Sequence, residues 1–470
     1  MPGSPPDPYD VAVVGAGPAG LAAAKTAADH GCATVLLDDA LRPGGQYWRR
    51  APGTAEAGTD PTTDRAGLGQ VLAGLLADLD RVDVRTRHEV WSVQAEPAGF
   101  VVRAQVDVAE LAVRARTLVL APGAHDRQLP FPGWDMPGVV AAGGLQALAK
   151  EHGVLPGRRV VVAGTGPFLL PVAGAVIARG GTVVAVAEAG DGTGWLHDPA
   201  VLMGTPGRVR DAAAYAAVLA RHGVPFLRRT GVVEAVGDDR GVTAAVLARL
   251  DGAGRPDGES RRTVACDVVA TGWGFTPRLD LPLGLACTTR VDRDGSLVVA
   301  VTARQETSVV GCFAAGEATG VGGAELAVVE GRLAGLAAAI RLGNAPRAPA
   351  PARLLRRRRA LRRFAALMHA AHPVPPGWPA WLDGRTTMCR CEEVTVADVD
   401  EAVTDLGATD PRTVKLLTRC GMGWCQGRIC GEPLARLVAA RTSTPYDPTS
   451  IATRPVAVPL TLGALATGPS

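Results

Sequence analysis

The chain has 470 residues, 47% of them hydrophobic and 20% charged, with a formal net charge of +3. That length is too great for one core and predicts about two to four domains, and the near-neutral balance gives a polyanion such as nucleic acid no footing. Only three lysines occur (Lys25, Lys150, Lys415), so arginine carries nearly all the positive charge, a skew that reads as genome composition.

Met1 to Asp10 has neither a basic n-region nor an apolar h-region, so no secretory signal is expected. No uncharged apolar run approaches the ~20 residues of a membrane span. The best candidate, Ala324 to Ile340, is interrupted by Glu325, Glu330 and Arg332. A cytoplasmic protein is predicted, reaching a membrane only through partners.

The first unit, residues 8–145, opens with the apolar strand Tyr9 to Val14. It runs into Gly15-x-Gly17-x-x-Gly20, then an Ala-rich helix to His30 and a second strand, Ala33 to Leu37, ending on Asp38. In this fingerprint Gly15 allows the tight turn, Gly17 lets backbone N–H groups approach a pyrophosphate, and Gly20 lets the helix pack on the sheet. Pro18 and Ala19 fill the variable places of the loop. The helix N-terminus adds partial positive charge toward the phosphates. Asp38 can accept from both ribose hydroxyls and disfavours a 2′-phosphate, so FAD or NAD suits the site better than NADP.

Downstream features resemble those of two-domain flavoproteins and favour FAD. Gly45 and Gln46 follow the ribose acid, and Leu118 to Gly123 forms a strand and turn that places Ala121 and Gly123. Thr307 to Glu317 resembles the second motif of two-domain flavoproteins, a resemblance that implies Gly316 and Glu317 bring a carboxylate to the ribityl chain. Pro122 and Glu317 depart from the usual Thr and Asp. A plain helix start with a first-turn acid is the bland reading of Gly316-Glu317.

A second strand–turn–helix occupies residues 146–275. Here Arg158 to Ala163 leads into Gly164-x-Gly166-Pro167, a helix over Val172 to Ala178, and a strand ending at Glu188. Leu169 stands where the third glycine belongs. NAD(H), another nucleotide, and a repurposed loop all remain open there. Residues 276–345 are the return into the first fold. No cysteine pair follows Gly44-Gly45, which reads on as Gln46-Tyr47-Trp48-Arg49, and the second fold holds no C-x-x-C, which argues against thiol–disulfide reduction. His125 is taken as a loop residue near the flavin, and no substrate base stands out.

Residues 346–384 read as a basic, Pro-rich linker carrying a helix from Arg353 to Met368. The module at 385–445 holds five of the nine cysteines; Cys32, Cys266, Cys287 and Cys312 lie scattered in apolar segments and read as packed thiols. Cys389-x-Cys391 and Cys425-x-x-x-x-Cys430 supply four soft thiolates among Gly421, Gly423, Gly427 and Gly431. Four thiolates complete a [2Fe–2S] cluster, and structural zinc is the alternative, although zinc more often uses C-x-x-C pairs. Helices are predicted over Thr395 to Leu406 and from Pro411 to Thr418. Cys420 is a fifth thiol, spare or packed. Residues 446–470 form a Pro/Thr/Ala-rich tail laid on a surface. The fold class is α/β, two tandem Rossmann-like (FAD/NAD(P)-type) domains with a small, mostly helical C-terminal module.

Cys389-Arg390-Cys391-Glu392-Glu393-Val394-Thr395 and Gly421 to Cys430 resemble the BFD-type [2Fe–2S] domain. Together with Gly164-x-Gly166-Pro167, Gly272-Trp273-Gly274-Phe275 and Gly316 to Ala324, they make residues 8–445 similar to the A (alpha) subunits of opine oxidases, hydrogen cyanide synthase and hydroxyproline or proline dehydrogenases. The resemblance implies an FAD- and [2Fe–2S]-containing electron-transfer subunit of a heteromeric amine or imino-acid dehydrogenase. The implied partner is an amino-acid-oxidase-like flavoprotein beta subunit, with room for a small third component. In sarcosine oxidase a related module binds NAD in its first fold, so NAD remains the alternative to FAD there. The rival readings are a stand-alone NAD(P)H-dependent flavoprotein reductase and a redox-sensing scaffold with structural zinc.

Overall fold

A computed structural model describes residues 8–49, 68–107, 109–345, 351–452 and 456–467. The N-terminal end and parts of the expected linker and tail lie outside these residues. The strand Tyr9–Val14 is the centre of the first sheet, and its last four residues are buried. It pairs in parallel with Thr34–Leu37 on one side and with Ala109–Leu120 on the other. Such a strand, covered on both faces, reads as a continuous apolar run rather than an alternation. Val82–Arg85 extends the parallel edge, and Gly99–Val106 and Glu89–Glu96 add an antiparallel meander beyond Ala109–Leu120. Cys312–Ala314, from far along the chain, joins as the seventh strand beside Leu118 to Leu120. Helix α1 (Pro18–Asp29) starts at Gly17 with Pro18 in its first turn and buries eight residues, six of them alanine.

The second sheet is parallel throughout. Its order is Phe226–Arg228, Thr182–Glu188, Arg159–Gly164, Val268–Gly272, Val139–Ala141. Helix α2 (Leu169–Ala178) follows its glycine loop, three residues earlier than the sequence suggests, with Leu169 fully enclosed. An antiparallel layer of Thr230–Asp238, Gly241–Arg249 and Arg262–Ala265 contributes to a core shared with this sheet. A short ribbon, Ala124–Asp126 against Phe275–Pro277, ties the two folds.

Helix α3 (Ala324–Arg341) packs on α1 through small residues. A Cβ on Gly331 would lie 2.0 Å from the Ala19 carbonyl oxygen, and one on Gly335 2.3 Å from that of Ala23. Helix α4 (Ala352–Ala371) lies across the two folds. From residue 351 onward the expected linker is therefore not a free spacer. Trp378 and Trp381 are buried, donating from Nε1 to the carbonyls of Pro130 (2.7 Å) and Gly254 (2.8 Å).

Those tryptophans continue the second fold's core into the cysteine module, whose Met388, Val394, Val396, Val399, Val414 and Leu437 belong to the same cluster. Helix α5 (Val396–Thr404) begins in a capping box, Thr395 and Asp398 bonding each other's backbone N–H. Helices α6 (Pro411–Thr418) and α7 (Gly431–Thr442) complete the module. The described part of the tail does lie on the body, where Ala457 N–H donates to the Trp91 carbonyl at 3.0 Å. Among the described residues no helix is long and apolar enough to cross a membrane.

Candidate cofactor sites

Residues of the first fingerprint gather at the carboxyl ends of adjacent parallel strands, where open α/β sheets bind ligands. Gly15 sits at φ +99°, and a Cβ there would lie 2.2 Å from the Ala121 carbonyl oxygen; at Gly20 it would lie 1.7 Å from that of Gly15. Beside Gly17 a Cβ would meet only the Gly45 Cα, at 3.9 Å. The first and third glycines are thus required by packing, and the middle one faces room for a ligand. Gly44 N–H donates to the Ala16 carbonyl at 2.8 Å and holds Gly45 over the loop. Asp38, at the end of its strand, accepts from the Ala16 N–H and from the Ala40 N–H at 2.8 Å. Burial raises its pKa above the ordinary value, against those two bonds.

Around this loop stand Pro18 and Ala19 at the start of α1, Gln46 bonded to Arg49, Ala121 at the end of its strand, and Gly123 at φ +73° with nothing within 4 Å of an added Cβ. Gly316 and Glu317 follow the inserted strand Cys312–Ala314. Gly316 N–H donates to Glu330 Oε2 at 3.2 Å. Glu317 accepts from the N–H groups of Gly322 (3.1 Å) and Gly323 (3.0 Å), and burial pushes it up to about 7. Two acceptor positions of its carboxylate are thus taken by its own loop.

The sequence reasoning missed what fixes this corner. Glu330 is wholly buried in α3 and accepts from Arg358 Nε (3.0 Å) and Arg362 Nε (2.9 Å) of α4. Arg362 also donates to the Gly320 carbonyl at 2.8 Å. The signals were present: an acid interrupting an apolar run, and arginines four apart on one helix face.

At the second glycine loop, Gly164 is at φ +140° and a Cβ would lie 1.8 Å from the Gly272 carbonyl oxygen. Glu188 accepts from Thr165 Oγ1 (3.0 Å), Gly166 N–H (2.9 Å) and Gly190 N–H (3.0 Å). Immediately after α4, His372 brings Nδ1 to 3.4 Å from Glu188 Oε1, while Trp195 Nε1 donates to His372 Nε2 at 2.9 Å. Gly194 lies so close to α4 that a Cβ would be 2.4 Å from the Ala371 Cα. The end of α4 and His372 thus pack beside Glu188 and the loop at Gly194.

In the C-terminal module Cys389, Cys420 and Cys430 offer sulfurs all within 4.8 Å of one another, each buried. Cys430 also touches Cys425, which touches Cys391. Cys391 is exposed and Cys425 half-buried. Hydrogen bonding from Cys430 lowers Cys425 to about 5. Glycine is needed here for contact, because a Cβ on Gly423 would fall 2.1 Å from the Cys391 Cβ. A converging set of soft thiols, part of it already acidified, fits an iron–sulfur centre. The four remaining cysteines are buried as expected, and burial pushes Cys32 and Cys266 up to about 11.

One buried cation joins the module to the rest. Arg127 donates from Nε to Glu432 Oε2 of α7 (3.0 Å) and from Nη2 to Asp294 Oδ2 (3.0 Å). It also bonds Ser296 and reaches the carbonyl of Trp273 at 3.3 Å. Its neighbour His125 lies on the connecting ribbon, not in a loop, with Nε2 at 3.0 Å from the Arg428 carbonyl between the last two cysteines.

A profile described as "Pyridine nucleotide-disulphide oxidoreductase" matches residues 9–343. The chain belongs to the pyridine nucleotide-disulphide oxidoreductase family. A second profile, "BFD-like [2Fe-2S] binding domain", matches residues 387–440. This member of the family is therefore an oxidoreductase that pairs FAD/NAD(P)-type folds with a [2Fe–2S] domain. It is 34% identical over 431 residues to hydrogen cyanide synthase subunit HcnB of Pseudomonas aeruginosa, covering 89% of this chain and 90% of that one. It is 32% identical over 477 residues to the opine oxidase A-subunit of Rhizobium meliloti, covering 97% and 98%. Both relatives carry the name of a subunit. The solved structure of L-proline dehydrogenase from P. horikoshii shares the fold, with a TM-score of 0.68, 21% identity, and coverage of 97% of this chain and 79% of that one.

Proposed function

We propose that this family member is the FAD- and [2Fe–2S]-carrying electron-transfer subunit of a heteromeric dehydrogenase for an opine, proline or hydroxyproline-like amine or imino acid. The observation that carries the reading is the gathering of five thiols in a module joined to the flavin-type fold by the buried Arg127–Glu432 pair. When bound, the flavin takes two electrons together and the cluster passes them singly. For this, Gly15, Gly17, Pro18, Ala19, Gly20, Asp38, Gly45, Gln46, Ala121, Gly123, Gly316 and Glu317 form the dinucleotide cradle. Cys389, Cys391, Cys425 and Cys430 are the cluster ligands. The backbone N–H groups at the start of α1 neutralise pyrophosphate charge. Asp38 orients the ribose, and the valines under the thiols keep water from the inner sulfurs.

Substrate oxidation belongs to a partner. Converting an amine to an imine releases two electrons and two protons, and the relatives named as subunits support placing that step on a second chain. An amino-acid-oxidase-like beta subunit fits the role, and a small third subunit can complete the assembly. Reduction by NAD(P)H through the second fold is disfavoured because the end of α4 and His372 pack beside Glu188. A cytoplasmic setting suits open thiols.

The test is anaerobic purification, a visible spectrum, iron and acid-labile sulfide analysis, and EPR after dithionite. A flavin spectrum with a rhombic or axial [2Fe–2S] signal is expected. Colourless protein, or zinc without sulfide, would refute the proposal. Cys425→Ser should remove the cluster and leave the flavin.

A further inference from the structure

A [2Fe–2S] centre uses four thiolates, and this module gathers five. The contacts divide them. Cys389 and Cys430 form a buried inner pair, and Cys391 and Cys425 an outer pair nearer solvent. Cys420 touches the inner pair, and its sulfur lies within 4.8 Å of both.

Backbone geometry aims this residue inward. Helix α6 ends at Thr418, Arg419 takes φ +66° and Gly421 φ +85°, so the chain reverses around Cys420. Cys420 N–H is held by Thr418 Oγ1 at 3.2 Å, and only 1% of the residue is exposed. A thiol that merely fills space is surrounded by carbon; this sulfur faces two other sulfurs.

We propose that Cys420 is a reserve ligand, outside the four-thiolate set of the intact protein and able to replace Cys389 or Cys430 when either is lost. The inference rests on the cluster reading above. The exchange is redox-neutral. With Cys389 or Cys430 absent, the Cys420 thiol would give its proton to solvent and its thiolate would fill the iron position left open, with no ligand bond broken. Cys420 is assigned to the inner side because its sulfur lies within 4.8 Å of those of Cys389 and Cys430.

The experiment compares the wild-type chain with C420A, C389A, C391A and the C389A/C420A double variant, purified anaerobically. Iron, acid-labile sulfide and the EPR of the reduced protein are read, with circular dichroism to confirm folding. C420A should keep the wild-type signal. C389A should keep most of its iron with shifted g-values, whereas C389A/C420A and C391A should lose the cluster. C389A as empty as the double variant would overturn the proposal, as would loss of the cluster from C420A alone. Wild-type protein holding zinc would overturn the parent reading and this one with it. If C389A fails to fold, the size-matched C389S and C389S/C420A pair replaces it with the same expectation.

Discussion

Replacing Arg127 by methionine keeps most of its length and removes the buried cation that joins the cysteine module to the ribbon. Arg127, Glu432 and Asp294 expose 3%, 7% and 9% of their side chains, so solvent screens the group little. Removing one partner of such a buried pair costs about 3–5 kcal/mol, mostly from the charge left uncompensated. Glu432 keeps Arg436 at 2.8 Å and Thr276 at 3.1 Å, and Asp294 keeps Ser296 at 2.9 Å. Those bonds place the expected loss for Arg127→Met near the lower end, about 3 kcal/mol. Guanidinium unfolding followed by tryptophan emission, with visible absorbance for the cluster, is the assay. Buried Trp273, whose carbonyl Arg127 reaches, packs edge-on against Trp381 and reports on the joint, and the variant should lose cluster absorbance before the main transition. In a double-mutant cycle with Glu432→Gln, coupling above about 1 kcal/mol is expected for residues in contact. A variant within experimental error of wild type, or additive single effects, would refute the claim that this ion group holds the module in place.

The same carboxylates predict an acid limb. Burial pushes Glu432 and Asp294 up, but the Arg127 charge and their hydrogen bonds outweigh it and hold both low, so their stabilisation is present above the ordinary carboxylate range and lost as pH falls through the lower folded values. Arg127→Met should flatten that limb in urea midpoints measured below about pH 5. Glu317 works in the opposite sense. Raised to about 7, it contributes stability that is full below its ordinary value and declines as pH rises through 7, so Glu317→Gln should lessen the fall in midpoint between acid and mildly alkaline buffer. NADH at about 1 mM, the top of the usual KM range, should leave the visible spectrum of the isolated chain unchanged in an anaerobic cuvette; rapid bleaching would mean the packing beside Glu188 opens readily. Gly20→Ala should cost at least about 1–3 kcal/mol through overpacking and abolish flavin retention on gel filtration. Gly74→Ala, in the helix Leu68–Ala77 and with nothing within 4 Å of the new methyl, should be neutral or stabilising.

The local grammar of the chain was readable. Gly15, Gly17 and Gly20 between an apolar strand and an alanine-rich helix specify one supersecondary unit, and Pro411 marks a helix start with Asp410 capping it. The converging cysteines were legible because their spacing is set within one module. What escaped was pairing over long separations. Arg127 and Glu432 are 305 positions apart, and Arg362 and Glu330 are 32 apart on different helices. No period or turn motif announces such partners, since only the packed layers bring them together. Glu317 illustrates the converse. Its place in the motif was visible, but the two glycine N–H groups that claim its carboxylate depend on how the loop after it folds back.

Helix α4 carries a further consequence. It touches the flavin-type corner through Arg358 and Arg362, the Val321 carbonyl through His369 at 2.8 Å, and the second fold through His372. These residues share one stripe, and the first and last stand about 21 Å apart along the axis. The helix is therefore a ruler with a phase as well as a length. One inserted residue would turn everything beyond it by about 100° and shift it by about 1.5 Å, leaving one end unable to reach its socket. Insertions and deletions should be tolerated in the Pro/Ala-rich run before Ala352 and rejected between Arg358 and His372, a boundary that a scanning library of single-alanine insertions would draw directly.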